Sequence, residues 1–372
     1  MSINRVFNSI DKESMYWVLL ASNENIGAKT IFKLKKIYGT ITNLFKRKDI
    51  NRYESMYFSK RVKTEIDKVI NSYKLDDAIN RLKKYNIIPI IYNTPQYPKL
   101  LLEIPDPPAV LFVRGNDKCL NNISLSVVGS RKYTIYGKLV VQDIVHKIAS
   151  SGLCIVSGMA LGIDTLAHKA TVDAGGVTIG VLANGLDRIY PASNRALSEE
   201  IIQRGGAIIS EYFPGILPYK SNFPLRNRII AGMSLGTLVI EAAQKSGTLL
   251  TAKAALDYNR DLFAVPGSIY GKNSEGTNNL IKYGAKLINN YNDVLEELNI
   301  DRRIGENIVK KTIPPNLEES KIIKYLDKNE SMHIDILAKK SSIKISILSS
   351  KLVLMEMKGM VKNVGANYYI SL

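Results

Sequence analysis

Four clusters of small, polar and basic residues stand where strand-like runs end, and their types suit a phosphate-bearing ligand better than bond-breaking chemistry. The first is Gly129-Ser130-Arg131. Its glycine lets a backbone approach closely, its serine adds a hydroxyl donor, and its arginine supplies a planar fork for phosphate. The second, Ser157 to Asp164, carries Gly158, Ala160 and Gly162 ahead of a helix holding His168, and small residues at a helix amino terminus favour anions. Asp164 reads there as a helix-start residue rather than an acid, and His168 as structural. The third runs from Gly185 to Asn194. The fourth extends from Ser210-Glu211 through Lys220, Phe223 and Arg226-Asn227-Arg228 to Gly232. Basic groups interleaved with a stacking ring form a platform for single strands; the alternative is that Phe223 belongs to the core and the charges to the surface.

Catalysis is not expected. The chain shows no nucleophile with a neighbouring histidine and no metal-ligand cluster, so neither a metal nor a cofactor is predicted. Cys119 and Cys154 are too few for a zinc site or a disulfide framework and read as reduced thiols. A length of 372 residues with 45% hydrophobic content suggests two or three domains with real cores. The formal charge of +17 favours polyanionic partners. Lys and Arg against Asp and Glu number 20 to 11 in residues 1–115, 18 to 15 in 116–300 and 13 to 8 in 301–372. The excess lies toward the ends, so charge alone does not locate a site. No apolar run approaches the roughly 20 residues of a membrane helix, and Met1 to Arg5 opens no secretion signal. A cytoplasmic protein with no membrane partner is the expectation.

The elements that must position these clusters are legible from periodicity. Short runs at Ser124–Val128, Cys154–Ser157, Val177–Leu182, Ala207–Ser210, Thr237–Ile240 and Leu262–Val265 are apolar on both faces and alternate with helical stretches. That is how an α/β, Rossmann-like, doubly wound and mostly parallel sheet reads, and its ligands bind at the carboxyl ends of the strands. Residues 1–84 are helical in pattern, with a turn at Ile26-Gly27 before Lys29 and Thr30. They form a sterile-alpha-motif-like or helix-hairpin-helix domain whose turn can offer N–H groups to a phosphate, or else a plain helical hairpin used for packing. A strand at Ile87–Ile91 and a proline-punctuated entry segment lead into a core spanning 85–300. Residues 301–316 read as a linker. Residues 317–372 show three helical patterns and a hairpin turning at Gly365-Ala366-Asn367, which together make a winged helix.

Taken together, the clusters resemble the DNA-processing protein A family (DprA, also called Smf). The resemblance rests on Gly129-Ser130-Arg131, Ser157-Gly158-x-Ala160-x-Gly162-Ile163-Asp164, Gly185-Leu186-Asp187-x-x-Tyr190-Pro191-x-x-Asn194 and Phe223-Pro224-x-Arg226-Asn227-Arg228-Ile229-Ile230-Ala231-Gly232. It continues through Glu241, Ser246 to Ala252, Arg260, Phe263 to Gly267 and Ser274-x-Gly276-x-Asn278. One departure is Ala183-Asn184, where the family often has a glycine-containing pair. The resemblance implies a homodimeric single-stranded DNA-binding protein that protects incoming DNA and helps load RecA recombinase in natural transformation or recombination. Its implied DNA-binding residues are Gly129, Ser130, Arg131, Asn194, Lys220, Phe223, Arg226, Asn227, Arg228 and Ser246.

Two other readings compete. Gly232-x-x-x-Gly236-Thr237-x-x-x-Glu241 looks like a degraded form of the phosphate motif of lysine-decarboxylase-like phosphoribohydrolases, with Met233 where a glycine would expose backbone amides. The winged helix would alternatively make the chain a regulator of duplex DNA, although Lys344, Ser346, Ser349, Ser350 and Lys351 are thin for base readout.

Overall fold

The computed structural model describes residues 7, 10–47, 57–300, 317–326, 331–357 and 360–371; the expected linker at 301–316 lies outside them. The chain divides into two compact units, 1–301 and 302–372.

The first unit opens with helices α1 (Lys12–Ala21), α2 (Ala28–Tyr38), α3 (Ile41–Arg47), α4 (Lys60–Ser72) and α5 (Leu75–Lys84). Their apolar faces do not close on themselves. Trp17, Leu20, Ile31, Leu34 and Leu82 share one buried cluster with Phe112, Met159, Ile208 and Phe213 of the sheet and its loops. Ile26 is buried in the cluster, and Gly27 borders a cavity of about 350 Å³ whose wall carries Glu24 and Lys29 and the Arg228 guanidinium paired with Asp106 and Glu211.

Nine strands follow: β1 (Ile88–Ile91), β2 (Val110–Gly115), β3 (Ser124–Gly129), β4 (Cys154–Ser157), β5 (Thr178–Leu182), β6 (Ala207–Ser210), β7 (Gly236–Ile240), β8 (Asp261–Ala264) and β9 (Lys286–Leu287). They form one sheet in the order β1-β2-β6-β5-β4-β3-β7-β8-β9. From β6 to β9 every pairing is parallel, whereas β1 and β2 add an antiparallel edge. The six expected core strands agree with the observed ones to within a residue at each end. β2 and β9 were not legible: prolines crowd the approach to β2, whose partner β6 lies far along the chain, and β9 is only two residues long.

The crossover helices are α6 (Ile135–Val140, continuing through a π turn at Val141–Val145 to His146–Ser150), α7 (Ile163–Asp173), α8 (Arg195–Gln203), α9 (Asn222–Gly232) and α10 (Thr248–Asp257). After them come α11 (Glu275–Lys282) and α12 (Tyr291–Glu297). Strand order reverses between β3 and β7, and in open α/β sheets the crevice outside the strand ends at such a switch receives ligands. β3 also positions a helix. Ser124 Oγ donates to Met233 O at 2.7 Å and Ser126 Oγ to Ile230 O at 2.6 Å, satisfying carbonyls at the end of α9 that have no helical partner.

The second unit contains α13 (Leu317–Ile323), β10 (Met332–His333), α14 (Ile334–Ser341), α15 (Ile345–Met357), β11 (Val361–Gly365) and β12 (Tyr368–Ser371). Its sheet runs β10-β12-β11, so a short strand joins the expected hairpin. Leu348, Leu352 and Met355 line one face of α15 and pack on Leu337, Val361 and Tyr369. Among the described residues, no helix is long and apolar enough to cross a membrane.

Candidate nucleic-acid interface

A cleft of about 600 Å³ lies at the carboxyl ends of β3 and β7, where the strand order reverses. Its floor and walls come from Gly129 to Lys132 at and after the end of β3, Ala160 before α7 and Asp164 in its first turn, Phe223, Pro224, Arg226 and Asn227 on α9, and Ser246 to Thr248 at the start of α10. Seven of the ten sequence-derived site residues therefore meet: Gly129, Ser130, Arg131, Phe223, Arg226, Asn227 and Ser246. α10 starts here, its first N–H at Thr248 donating to Ser246 Oγ at 3.2 Å, and the positive end of its macrodipole borders the cleft.

Inside this group the roles differ. Arg131 is exposed, and its guanidinium carbon lies 5.6 Å from the centre of the Phe223 ring. The ring itself is half-buried and meets Tyr190 edge-on at 5.9 Å, following a cis Tyr190–Pro191 bond. Phe223 is a member of none of the buried apolar clusters, although Ile229 and Ile230 of the same helix are. Neither expected alternative describes it fully: the ring is outside the core, yet clasped by two cations and a tyrosine.

Arg226 is only 4% exposed. Its Nη1 donates to Gly158 O and Val181 O, tying α9 to the ends of β4 and β5. Burial pulls this guanidinium down to about 10, with the Asp164 charge opposing the shift, so it remains a cation at neutral pH. Asp164 stands in the first turn of α7, as expected of a helix-start residue, but does not cap it. The cap position of α7 is Gly162 at φ +93°, and the Asp164 carboxylate instead accepts from Gly158 N at 3.1 Å. Burial raises it to about 6 against the pull of Arg226. A Cβ on Gly158 would stand 2.7 Å from both Arg226 and Asp164, so that glycine makes room for the pair. Gly129 likewise admits no side chain, because a Cβ would strike Ile240 O and the Ile163 side chain. The close approach these glycines allow is to the chain itself.

Ser130 Oγ closes its own turn, donating to Lys132 O at 2.9 Å and accepting from Lys132 N at 3.1 Å. Ser246 Oγ contacts Thr248 Oγ1 at 3.0 Å. Asn227 Nδ2 donates to Gly247 O at 3.4 Å.

Three expected site residues stand elsewhere. Arg228 points to the opposite side of α9, where Nη2 meets both Glu211 oxygens at 2.8 Å and Nε meets Asp106 at 3.1 Å; successive i and i+2 positions cannot share a helix face. Asn194 is 4% exposed and donates to Met159 O and Thr165 Oγ1, both at 2.8 Å. Lys220 is exposed on the loop entering α9 but does not line the cleft. Conversely, Lys132, Thr248 and Asn273 line it without having been expected there; Thr248 lies within the Ser246 to Ala252 motif, and Lys132 and Asn273 stand next to Arg131 and Ser274 at the edges of two others.

His168 is fully buried, with Nδ1 2.7 Å from Thr178 Oγ1, and burial drops it to about 3. Glu241, the acid of the enzyme reading, turns through φ +59° and accepts from Thr134 N at 2.9 Å and from Thr134 Oγ1. It thus holds the residue that caps α6. The Ala183-Asn184 departure is accommodated as well: Asn184 closes the turn itself by donating to Gly185 O and Arg188 O at 2.9 and 3.0 Å.

The sequence profile of DNA recombination-mediator protein A matches residues 89–299, the sheet and all the motifs around this cleft. The chain belongs to that family. Protein Smf of Escherichia coli is 45% identical over 202 residues, 54% of this chain and 54% of that protein, so the chain spans about half the length of this relative. The crystal structure of DNA processing protein A from Streptococcus pneumoniae, 33% identical, superposes with a TM-score of 0.65 over 77% of this chain and 98% of that one. DNA processing protein A from Helicobacter pylori, described for its single-stranded DNA binding mode, is 32% identical with a TM-score of 0.52, over 57% of this chain and 95% of its own.

Proposed function

We propose that the chain binds single-stranded DNA in the cleft between β3 and β7 and acts as a recombination mediator. The observation that carries this reading is the exposed Arg131 guanidinium facing the half-buried Phe223 ring across a switch-point crevice. A cation and a ring at that separation suit a phosphate and its base, and stacking tolerates any sequence because every base has a π face. Titration of matched single- and double-stranded oligonucleotides at two salt concentrations tests it. The single strand is expected to bind more tightly, and Arg131→Ala and Lys220→Ala should each lower the slope of log K against log salt by about 0.7. Equal affinity for duplex, or slopes unchanged in both variants, would sink the reading.

Three finer assignments go with it. Residues 1–84 serve as a sterile-alpha-motif-like packing domain, 85–300 as the DNA-binding core and 317–372 as a winged helix, supported by the order helix, strand, helix, helix, hairpin. The bound strand is incoming DNA, which the protein shields and passes to RecA recombinase. The working form is a homodimer, which would raise avidity on long strands through effective concentration. Light scattering at micromolar concentration should give twice the 41.4 kDa chain mass; a monomer throughout, with and without DNA, would remove the dimer.

A further inference from the structure

Beside the cleft, two segments form an exposed rim that starts at Arg131 and runs on beyond the cleft. One is Arg131 to Leu139, running from the β3 loop into α6; the other is the loop 266–273 after β8. Tyr136 Oη donates to Pro266 O at 2.7 Å and Asn273 Nδ2 to Lys132 O at 2.6 Å, so the two are held together. Lys132 and Asn273 also line the cleft, which makes the rim continuous with it. Large side chains stand in solvent here: Tyr270 is 91% exposed, Ile135 80% and Ile269 79%. Arg131, Lys132, Lys138 and Lys272 fall in these two stretches, and no carboxylate does.

Aromatic and apolar surface with cations and no acid is the composition of a sequence-tolerant single-strand track. We propose that a strand bound in the cleft leaves it across this rim, with phosphates beside Lys132, Lys138 and Lys272 and a base stacked on Tyr270. The proposal rests on the single-strand reading of the cleft. It extends the footprint beyond the cleft and assigns the otherwise unsupported exposure of Tyr270 to the ligand. Charge favours DNA over a second copy of this chain as the occupant, because like charges directly opposed at a self-complementary contact repel.

The test uses the full-length protein and fluorescein-labelled oligothymidylates, one of about 6 nucleotides that fills the cleft and one of about 20 that reaches past it. Tyr270→Ala should weaken the longer strand about tenfold and leave the shorter one unchanged, with Tyr270→Phe retaining affinity. Lys272→Ala should lower the salt slope by about 0.7 on the longer strand alone. Wild-type affinity of Tyr270→Ala for the longer strand, while Arg131→Ala weakens both, overturns the track but keeps the cleft. Loss of nothing in Arg131→Ala removes the cleft reading and the track with it. A change in molar mass of Tyr270→Ala by light scattering without DNA would make the rim a contact between copies, and likewise overturn the proposal.

Discussion

Arg226→Ala is expected to lower the stability of the first unit by about 3–5 kcal/mol, because it leaves a buried carboxylate and two carbonyls without their cation. For a unit of this size that is a fall in Tm of roughly 5–10 °C. The guanidinium bridges Gly158 O and Val181 O beneath the cleft, where it also faces Asp164. Lysine cannot replace it, since a single ammonium lacks the fork that reaches two carbonyls. The pH dependence follows from Asp164. Burial holds its folded pKa near 6, above its ordinary value of 3.8. The folded state therefore binds that proton more tightly than the unfolded one between those values, and the group's contribution to stability falls as pH rises through the window. Without Arg226 the folded pKa moves higher still, so the deficit of the variant should be larger at about pH 8 than at about pH 6. Thermal denaturation at the two pH values checks both statements. A variant with wild-type Tm and weakened DNA binding would show that Arg226 works on the ligand and not on the scaffold.

Phe223→Ala should do the reverse, costing roughly 1–3 kcal/mol of affinity for single strands while leaving the salt slope as in the wild type. The ring lies outside the buried clusters, so its removal should shift Tm far less than the about 3–5 kcal/mol loss of a core phenylalanine would. It does hold Arg131 at 5.6 Å and Arg226 at 5.9 Å. Loosening Arg131 is therefore part of the expected effect, and the double variant Arg131→Ala/Phe223→Ala should lose less than the sum of the single losses. Salt-dependent anisotropy paired with thermal melts decides the matter. Marked destabilisation, or unchanged affinity in a stable protein, takes Phe223 out of the interface.

Local pattern was sufficient wherever an element carries its own signal. Strands β3 to β8 are apolar on both faces because helices cover both, and that burial writes itself into consecutive residues. The family motifs likewise bring their residues to strand ends, which fixes the neighbourhood of the cleft. Side-chain direction is another matter. Arg226 and Arg228 are two residues apart with identical chemistry, yet one lies beneath the cleft and the other between Glu211 and Asp106. Their difference is set by the rotation of α9 on the sheet, which Ser124 and Ser126 of β3 fix through Met233 and Ile230. The N-terminal helices read as a separate module because their 3.6-residue periodicity is complete in itself. Only the assembled chain shows their apolar faces closing on Phe112, Ile208 and Phe213. What the sequence by itself determined was the six core strands, the parallel sheet they form and the family. The tertiary structure alone decided which cations reach solvent, because burial and ion pairing depend on partners more than a hundred residues away, such as Asp106 for Arg228, that no local spacing records.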